Sequence, residues 1–547
     1  MLHRRGHRIL NIVISICLIG LFVVIMKGPS SESILSDSPS FPSLPDVHLR
    51  VIKEMEEDLA NDNMTDYGSE QDISLWPFHS SNANLTISGQ DIVGSVNFLN
   101  ENFELLNLAK LGPIENVKFV IVIQVHNRPT YLGYLIESLR ATRGIEDALL
   151  VFSHDINVAP VNEMIRNITF ARVLQIYYPY NMQLFPHVFP GQDPKDCPER
   201  VGKKAAATMR CKNFENPDKY GNYRVAKLTQ IKHHWWWKMN YVFDGIYDRY
   251  DLSDPWVLLL EEDHYLAPDA LHVLDIIIQN RKTYCEKCEI ISLGFYLKTF
   301  TSYGANIAKL GAHPWYSSKH NMGMAFRRQT WMKVKNCSEV CCGAFDCFVC
   351  YTLNFNVELR LNSRSECQDI YLLPVFFVEN SCLRGTLHFI FNLMERCNFL
   401  GAHITHNKLF CKYDDYNWDW SLLQVVVKCL PERFRVIFTK SPRVIHIGDC
   451  GVHTHRCNAH NAYASARDIM TRHADLLFPS RLTVTDVSRR SPKPSKENGG
   501  WGDVRDHALC RANTYPLNAA AHAIPELSDL LRSTVHIGPS LARKEGL

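Results

Sequence analysis

Apolar and polar residues along the chain follow the periods of strands and helices in turn. The run VKFVIVIQV at 117–125 is rich in β-branched residues and predicts a central strand that is covered on both faces. Apolar residues then recur at helical spacing until Gly144, which predicts a helix and its end. Further strands are predicted at 148–152 and 171–178. This repetition of strand, helix and strand is typical of a doubly wound α/β sheet.

A further predicted strand, 257–260, leads directly into Glu261, Glu262, Asp263 and His264. In an open α/β sheet, ligands bind at the carboxyl ends of strands. Carboxylates gathered there are suited to hold a hard divalent cation against substrate phosphates. The pattern therefore favours a metal–diphosphate site, and the alternative interpretation is a strand that ends in solvated charge.

The beginning of the chain has the pattern of a membrane anchor. Three arginines in residues 1–8 precede an apolar run at 9–26, which is near the lower length limit for a membrane-spanning helix. No clear small-residue cleavage site follows, so an uncleaved anchor is favoured over a signal peptide. With the basic end in the cytoplasm, the rest of the chain would be lumenal or extracellular. Residues 27–110, rich in Ser, Pro, Asp and Asn, are interpreted as a stem.

Composition agrees with an oxidising compartment. The chain has 18 cysteines, more than a reduced cytosolic enzyme needs. Glycosylation sequons begin at Asn63, Asn84, Asn167 and Asn336. The formal net charge is only +2, so no basic field points to nucleic acid as a partner. The sequence contains neither GxGxxG nor GxxxxGK[ST], which removes support for the dinucleotide and P-loop versions of this architecture.

The segment 225–244 combines helical spacing with two histidines and three successive tryptophans. Most of its aromatic side chains are expected in the core, because apolar residues at this spacing line one face of a buried helix. Gln230 or His234 could instead face a base or a sugar at the edge of the sheet. Spacing alone does not decide between the two interpretations.

The run YDDYNWDW at 413–420 places acids between indoles. A tryptophan face can pack against the apolar side of a pyranose, which suits sugar recognition. A carboxylate between two indoles is partly desolvated, which raises its pKa and makes Asp419 a candidate general base. In the alternative interpretation, Asp419 caps a helix that begins at Trp420.

Histidines and cysteines cluster in HIGDCGVHTHRC at 446–457. The ligand spacings are irregular for the common zinc folds. In an oxidising lumen a disulfide between Cys450 and Cys457 is favoured, which leaves a histidine free to join the metal at the acidic strand end. His446 follows a predicted strand at 443–445 and could itself lie at a strand terminus.

Several of these stretches, in order, resemble the α-1,6-mannosyl-glycoprotein 2-β-N-acetylglucosaminyltransferases, the N-acetylglucosaminyltransferase II family. They are IVIQVHNRP, QIKHHWWWK, LEEDHYLAPDAL, HNMGMAF, YDDYNWDW, the run ending IHIGDCG, and NGGWGDVRDHALC. The resemblance covers roughly 111–510. It implies a Golgi type II membrane enzyme with a Rossmann-like α/β fold called GT-A, a mostly parallel sheet with helices on both faces. Its implied reaction moves GlcNAc from UDP-GlcNAc to O2 of the α-1,6-arm mannose of N-glycans, with Mn²⁺ as cofactor.

The resemblance also implies roles for individual residues. Those implied to bind the donor nucleotide are Gln124, Val125, His126, Asn127, Arg128, Asp155, Gln230, Ile231, Lys232, His233 and His234. Asp263 and His446 would hold the metal, and Asp419 would be the catalytic base. The donor is α-linked and the product is β-linked, so a single in-line displacement would invert the anomeric carbon.

The block 340–408 departs from the resemblance, because the family joins NCSE directly to LFCKYDDYNWDW. We interpret these 69 residues as a retained intron, a gene-model error or a recent insertion. The block holds seven cysteines and the anchor holds Cys17, which leaves ten of the 18. For these ten the resemblance suggests the pairs Cys197–Cys211, Cys285–Cys288, Cys337–Cys429, Cys411–Cys510 and Cys450–Cys457. The tail 511–547 also falls outside the resemblance.

Three classes of function are compatible with the sequence. The first is the GlcNAc transferase that the resemblance implies. The second is another lumenal GT-A transferase with a different sugar donor or acceptor. The third is a catalytically silent glycan-binding protein, which the block 340–408 makes plausible because it adjoins the segment that carries Asp419.

Overall fold

In the parts of the chain that this computed structural model describes, the strands form one large sheet and two small ones. They are β1 (Leu85–Ser88), β2 (Phe119–Val125), β3 (Ala148–His154), β4 (Arg172–Tyr177), β5 (Trp256–Glu261), β6 (His264–Leu266), β7 (Cys288–Ser292), β8 (Lys309–Pro314), β9 (Met324–Phe326), β10 (Arg435–Thr439), β11 (Val444–His446), β12 (Thr483–Val487) and β13 (Thr534–Ile537). The large sheet has nine strands in the order β12–β8–β10–β7–β9–β5–β2–β3–β4. Strand β9 is antiparallel to β5 and β7, β10 is antiparallel to β8, and the other neighbours are parallel.

Helices cover both faces of the large sheet. They are α1 (Gly89–Asn102), α2 (Leu108–Leu111), α3 (Pro129–Ala141), α4 (Ala159–Arg166), α5 (Lys203–Met209), α6 (Ala226–Asn240), α7 (Tyr247–Arg249), α8 (Ala270–Gln279), α9 (Arg281–Cys285), α10 (Tyr303–Asn306), α11 (Ser317–His320), α12 (Arg328–Ser338), α13 (Leu409–Lys412), α14 (Trp418–Lys428), α15 (Ala459–Arg472) and α16 (Val504–Ala512). Along β2, Val120 and Val122 join the apolar cluster that includes α6, whereas Ile121 and Ile123 join the cluster that includes α3. This alternation explains why the whole strand is apolar, and the layered, mostly parallel architecture fits a GT-A-like α/β fold.

The structure describes residues 85–115, 117–296, 301–338, 409–448, 458–490, 496–517, 532 and 534–537. The predicted anchor at 9–26, the block 340–408 and the Cys450–Cys457 pair lie outside the described residues. Within the described ranges, no helix combines the length and the apolar character needed to cross a membrane.

Helix α1 falls inside the predicted stem, yet it packs against the core of the sheet. Ile92 and Val96 are fully buried in the apolar cluster that includes β2 and α6. The Asn100 side chain bonds both main-chain polar groups of Tyr177 in β4, at 2.8 and 2.7 Å. Strand β13, from the predicted tail, pairs with β1. The packed part of the chain therefore extends beyond 111–510 at both ends.

The strands and helices predicted from periodicity are present, with small differences at their ends. Strand β3 is longer than the predicted 148–152, and the strand predicted at 443–445 runs one residue further, so that His446 ends it. The helix predicted at 225–244 is α-helical to Asn240 and continues in π-helical geometry over Tyr241–Ile246.

Four of the implied disulfides are confirmed: Cys197–Cys211, Cys285–Cys288, Cys337–Cys429 and Cys411–Cys510. Two of them attach the chain segments on either side of the block 340–408. Helix α12 carries Cys337 just before the block, and α13 carries Cys411 just after it. The two helices pack against each other and against α14. The described segments on both sides of the block are therefore anchored in the folded domain.

We expect a variant that lacks 340–408, with residue 339 joined to residue 409, to fold with its four disulfides intact. The four disulfides and the contacts between the flanking helices are all made by residues outside the block. The checks are the thermal unfolding midpoint, expected within a few degrees of the parent chain, and mapping of the disulfides. An unfolded product, or one with shuffled disulfides, would show that the block contributes to folding.

Candidate active site

Three neighbouring parallel strands, β2, β3 and β5, end at one edge of the sheet with polar residues. In the register of these strands, Gln124 lies between Ser153 and Glu261. The main-chain N–H of Glu262 donates to the Gln124 carbonyl at 3.0 Å, which extends this contact beyond the strand. Because the strands are parallel and adjacent, the predicted nucleotide-binding and metal-binding residues converge here.

His126 and Asp155 form a close pair beyond the ends of β2 and β3. His126 Nδ1 is 2.7 Å from Asp155 Oδ1, and Gln230 Nε2 donates to Asp155 Oδ2 at 3.2 Å. Burial opposes the charged form of His126, yet the Asp155 carboxylate raises the His126 pKa to about 9. A charged imidazole paired with a buried carboxylate makes a rigid, polar wall at this edge.

Arg128 connects the first predicted donor segment to the acidic cluster. Its Nε donates to Glu262 Oε1 at 2.7 Å, and a terminal nitrogen donates to Asp263 Oδ2 at 2.9 Å. Glu262 is buried and also accepts the main-chain N–H of His126 at 2.9 Å. Glu262 therefore orients this segment, a role that sequence reasoning missed although the residue belonged to the acidic run. Asn127 is exposed beside it.

Asp263 and His446 come together through the small antiparallel pair β6–β11. In that pair His446 lies opposite His264, and His446 Nε2 is 3.2 Å from Asp263 Oδ2. Gly448 also packs closely against the Asp263 carboxylate, since an added Cβ at Gly448 would lie 2.1 Å from Asp263 Oδ2. The two predicted metal ligands, distant in sequence, are thus neighbours in the fold.

The donor atoms around Asp263 fit a divalent cation. Asp263 is 3% exposed, and its Oδ1 is buried with no hydrogen-bond partner among the described residues. One ligand atom each from Glu261, Asp263 and His264 lie within 4.8 Å of one another. Burial lowers the pKa of His264 to about 4, which keeps this imidazole neutral. Carboxylate oxygens and neutral imidazoles are ligands that Mn²⁺ accepts, and an unpaired buried oxygen is the position that a cation would satisfy.

Asp419 lies in the first turn of α14, and the alternative interpretation, in which it caps a helix that begins at Trp420, is wrong. The helix begins at Trp418 and its N-cap is Asn417. Asp419 Oδ1 instead accepts the main-chain N–H of Trp420 at 3.0 Å, and Oδ2 accepts from Asn321 Nδ2 at 3.3 Å. Because Asn417 occupies the N-cap position, the Asp419 carboxylate does not cap the helix and can act on a substrate.

The environment of Asp419 favours its protonated form. Burial raises the Asp419 pKa to about 7, and the negative charges of Asp415 and Glu261 act in the same direction. The hydrogen bond from the Trp420 N–H opposes this shift but does not cancel it. Trp418 stacks on Trp235 of α6 with ring centroids 4.3 Å apart, which fixes the start of this helix. A carboxylate with a pKa near neutrality is poised to accept a proton from a hydroxyl.

Tyr296 links the base to the metal-binding residues, and sequence reasoning missed it. It is 63% exposed, its ring lies 5.5 Å from that of His446, and the charges of Glu261, Asp263 and Asp419 all reach its hydroxyl. Partial desolvation of the side chain and these charges raise the Tyr296 pKa to about 12. The base and the acidic cluster therefore face the same space.

The second predicted donor segment divides into residues at the strand ends and residues directed elsewhere. Gln230 contacts Asp155, and His234 lies behind it with Nε2 2.8 Å from Ser153 Oγ. Lys232 instead donates to the main-chain carbonyls at 413 and 415, at 3.1 and 2.9 Å. His233 Nε2 is 3.0 Å from Asp506 of α16. The structure does not bring Lys232 or His233 to the strand ends, and Ile231, which precedes them in α6, is half-buried.

The first two acids of YDDYNWDW hold a neighbouring loop. Asp414 accepts the main-chain N–H groups of Lys219 and Trp501 at 2.7 and 3.0 Å. Asp415 is fully buried and accepts that of Asn498 at 2.9 Å. These carboxylates satisfy main-chain donors of the NGGWGD segment, so only the third acid of the motif faces the strand ends.

Comparisons with known proteins identify relatives over most of the length of this chain. A family model described as N-acetylglucosaminyltransferase II (MGAT2) matches residues 93–362 and 394–510, with a break inside the block 340–408. The chain is 34% identical to the alpha-1,6-mannosyl-glycoprotein 2-beta-N-acetylglucosaminyltransferases of Sus scrofa and Homo sapiens, over 78% of this chain and 80% of each relative. The protein of the same name from Arabidopsis thaliana is 26% identical over 72% of this chain and 74% of its own length.

Proposed function

Because the chain belongs to the N-acetylglucosaminyltransferase II family, we propose that it transfers GlcNAc from UDP-GlcNAc to a mannose of N-glycans in one inverting displacement. The activity is that of the family, in N-glycan branching. The acceptor atom is O2 of the α-1,6-arm mannose, and the product linkage is β-1,2.

The observation that carries the proposed mechanism is the placement of Asp419. Its carboxylate has a pKa raised to about 7 by burial and lies close enough to the strand ends for the charge of Glu261 to act on it. Its neighbours in the chain, Trp418 and Trp420, are partly exposed, and an exposed part of an indole can pack against a pyranose ring. A group that is basic near neutral pH and adjoins a sugar-binding surface is what a hydroxyl nucleophile requires.

The residues of the chain divide the work of the displacement. Arg128, His126 and Gln124 line the edge where the donor nucleotide binds. Asp419 takes the proton from the mannose hydroxyl as the oxygen bonds to the anomeric carbon and the bond to the diphosphate breaks. Asp263 and His446, with Glu261 or His264 nearby, would hold Mn²⁺. When bound, the cation supplies positive charge that stabilises the departing diphosphate.

We also propose that the protein acts in the Golgi lumen as a type II membrane protein. The apolar run at 9–26 supports an anchor, and four disulfides support an oxidising compartment. Asn167 and Asn336, the described sequon residues, are both exposed and accessible to glycosylation.

The test is an assay with the purified protein, UDP-GlcNAc, Mn²⁺ and a biantennary N-glycan that already carries GlcNAc on its other arm. We expect one GlcNAc to be added to the α-1,6-arm mannose, with release of UDP, and no transfer to a glycan whose α-1,6 arm is blocked. Faster transfer from another nucleotide sugar would support the second class of function instead. Glycan binding without any UDP release would support the third.

A further inference from the structure

Beneath the edge where β2, β3 and β5 end lies a buried lysine that the proposed mechanism does not use. Lys238, from α6, is 2% exposed. Its Nζ donates to Gln124 Oε1 at 2.7 Å, while Glu261 and Asp155 act on it through charge alone. Burying an amine without a paired carboxylate is costly, so an isolated contact with a neutral amide calls for an explanation in function.

This contact determines which way the Gln124 amide points. A glutamine amide has one accepting and one donating end, and lysine only donates. Burial lowers the Lys238 pKa to about 7, against the charges of Glu261 and Asp155. The protonated amine has no lone pair and can only donate, which is its direction towards Gln124 Oε1 in the structure. Gln124 must therefore turn its oxygen inward and its NH₂ group away from Lys238.

The outward NH₂ group is available to a ligand. Gln124 is the one residue of β2 that is not fully buried, and its amide nitrogen makes no hydrogen bond to any residue that the structure describes. A donor fixed at this place selects a carbonyl oxygen and disfavours an amino group. Pyrimidine rings differ in this respect, since uracil carries a carbonyl oxygen where cytosine carries an amino group.

We propose that Lys238 is a positioning residue that presents the Gln124 amide nitrogen to the O4 carbonyl of the uracil ring, and so favours uridine over cytidine nucleotides. This inference rests on the proposed function, in which a UDP-sugar binds at this edge. It assigns to Lys238 an effect on donor selection and none on the proton transfer at Asp419.

The test compares kcat/KM for UDP-GlcNAc and CDP-GlcNAc in the intact protein and in Lys238→Met, Gln124→Met and the double variant. In Lys238→Met the Gln124 amide is free to turn over, so the preference for UDP-GlcNAc should fall about tenfold, the value of roughly one hydrogen bond. The kcat with saturating UDP-GlcNAc should stay within about twofold. Because Lys238 acts through Gln124, its substitution should change nothing further in the Gln124→Met background.

An unchanged preference in Lys238→Met overturns the inference, and so does an equal loss in both backgrounds, which would mark a purely structural role. If Lys238→Met does not fold, Gln124→Glu tests the inference instead. Its carboxylate still pairs with Lys238 but offers an acceptor to the pyrimidine ring. That variant should shift its preference towards CDP-GlcNAc, and a retained preference for UDP-GlcNAc would contradict the inference. Failure of the intact protein to use UDP-GlcNAc at all would instead refute the proposed function.

Discussion

Replacing Asp419 by Asn should lower kcat by about 1,000-fold and leave UDP binding intact, since a positioned general base contributes on the order of 10²–10⁴. The asparagine side chain has the same shape as that of aspartate, and its oxygen can still accept the main-chain N–H of Trp420. Its NH₂ group then lies on the side of Asn321. It cannot take a proton from the acceptor hydroxyl. The measurements are steady-state turnover with the biantennary acceptor and a titration with UDP in the presence of Mn²⁺.

Asp414→Asn is the matched control, because Asp414 belongs to the same motif but accepts the main-chain N–H groups of Lys219 and Trp501. It should lower the thermal unfolding midpoint with little change in kcat per folded molecule.

The pH profile gives a second check. Turnover of the intact protein should fall as Asp419 becomes protonated, below a pKa of about 7 that a bound cation would shift downward. Loss of UDP binding in Asp419→Asn would contradict the role assigned here.

The architecture was predictable because burial on two faces leaves a plain pattern in the sequence. A strand such as β2, covered by α6 on one side and α3 on the other, must be apolar throughout, and only its end at Gln124 departs from that rule. The acidic run after β5 was equally informative, since buried carboxylates are rarely placed without a ligand or partner. Helix α1 was misplaced in the stem because local composition does not show which amphipathic segments find a core.

The parts of the site that sequence could not predict depend on side-chain direction. Lys232 and His233 lie on the same helix as Gln230 but point in other directions around the helix axis. Lys232 contacts the 413–415 segment, and His233 contacts α16. The outcome for Asp419 depended on a single residue, because Asn417 is the N-cap of α14 and Asp419 therefore lies inside the first turn of the helix. Tyr296 reaches the site from the segment after β7, and no local motif marks it.

Replacing Asp263 by Asn should remove most of the activity and weaken Mn²⁺ binding. Its carboxylate carries the unpaired buried Oδ1 that a cation would satisfy, and its pKa is held far below the usual range, since the His446 and Arg128 contacts outweigh the effect of burial. An amide offers a weaker, uncharged ligand in the same position. Because metal ions contribute several kcal/mol of charge stabilisation, we expect a loss of at least about 100-fold in kcat/KM.

Mn²⁺ affinity, followed by the electron paramagnetic resonance signal of the free ion, separates this effect from misfolding. A folded Asp263→Asn protein should bind Mn²⁺ with clearly lower affinity, and His446→Ala should weaken it in the same direction. Asp414→Asn, whose carboxylate binds the NGGWGD segment instead, should leave the affinity unchanged. Full turnover after exhaustive chelation, or unaltered Mn²⁺ affinity in Asp263→Asn, would contradict the assignment of Asp263 as a metal ligand.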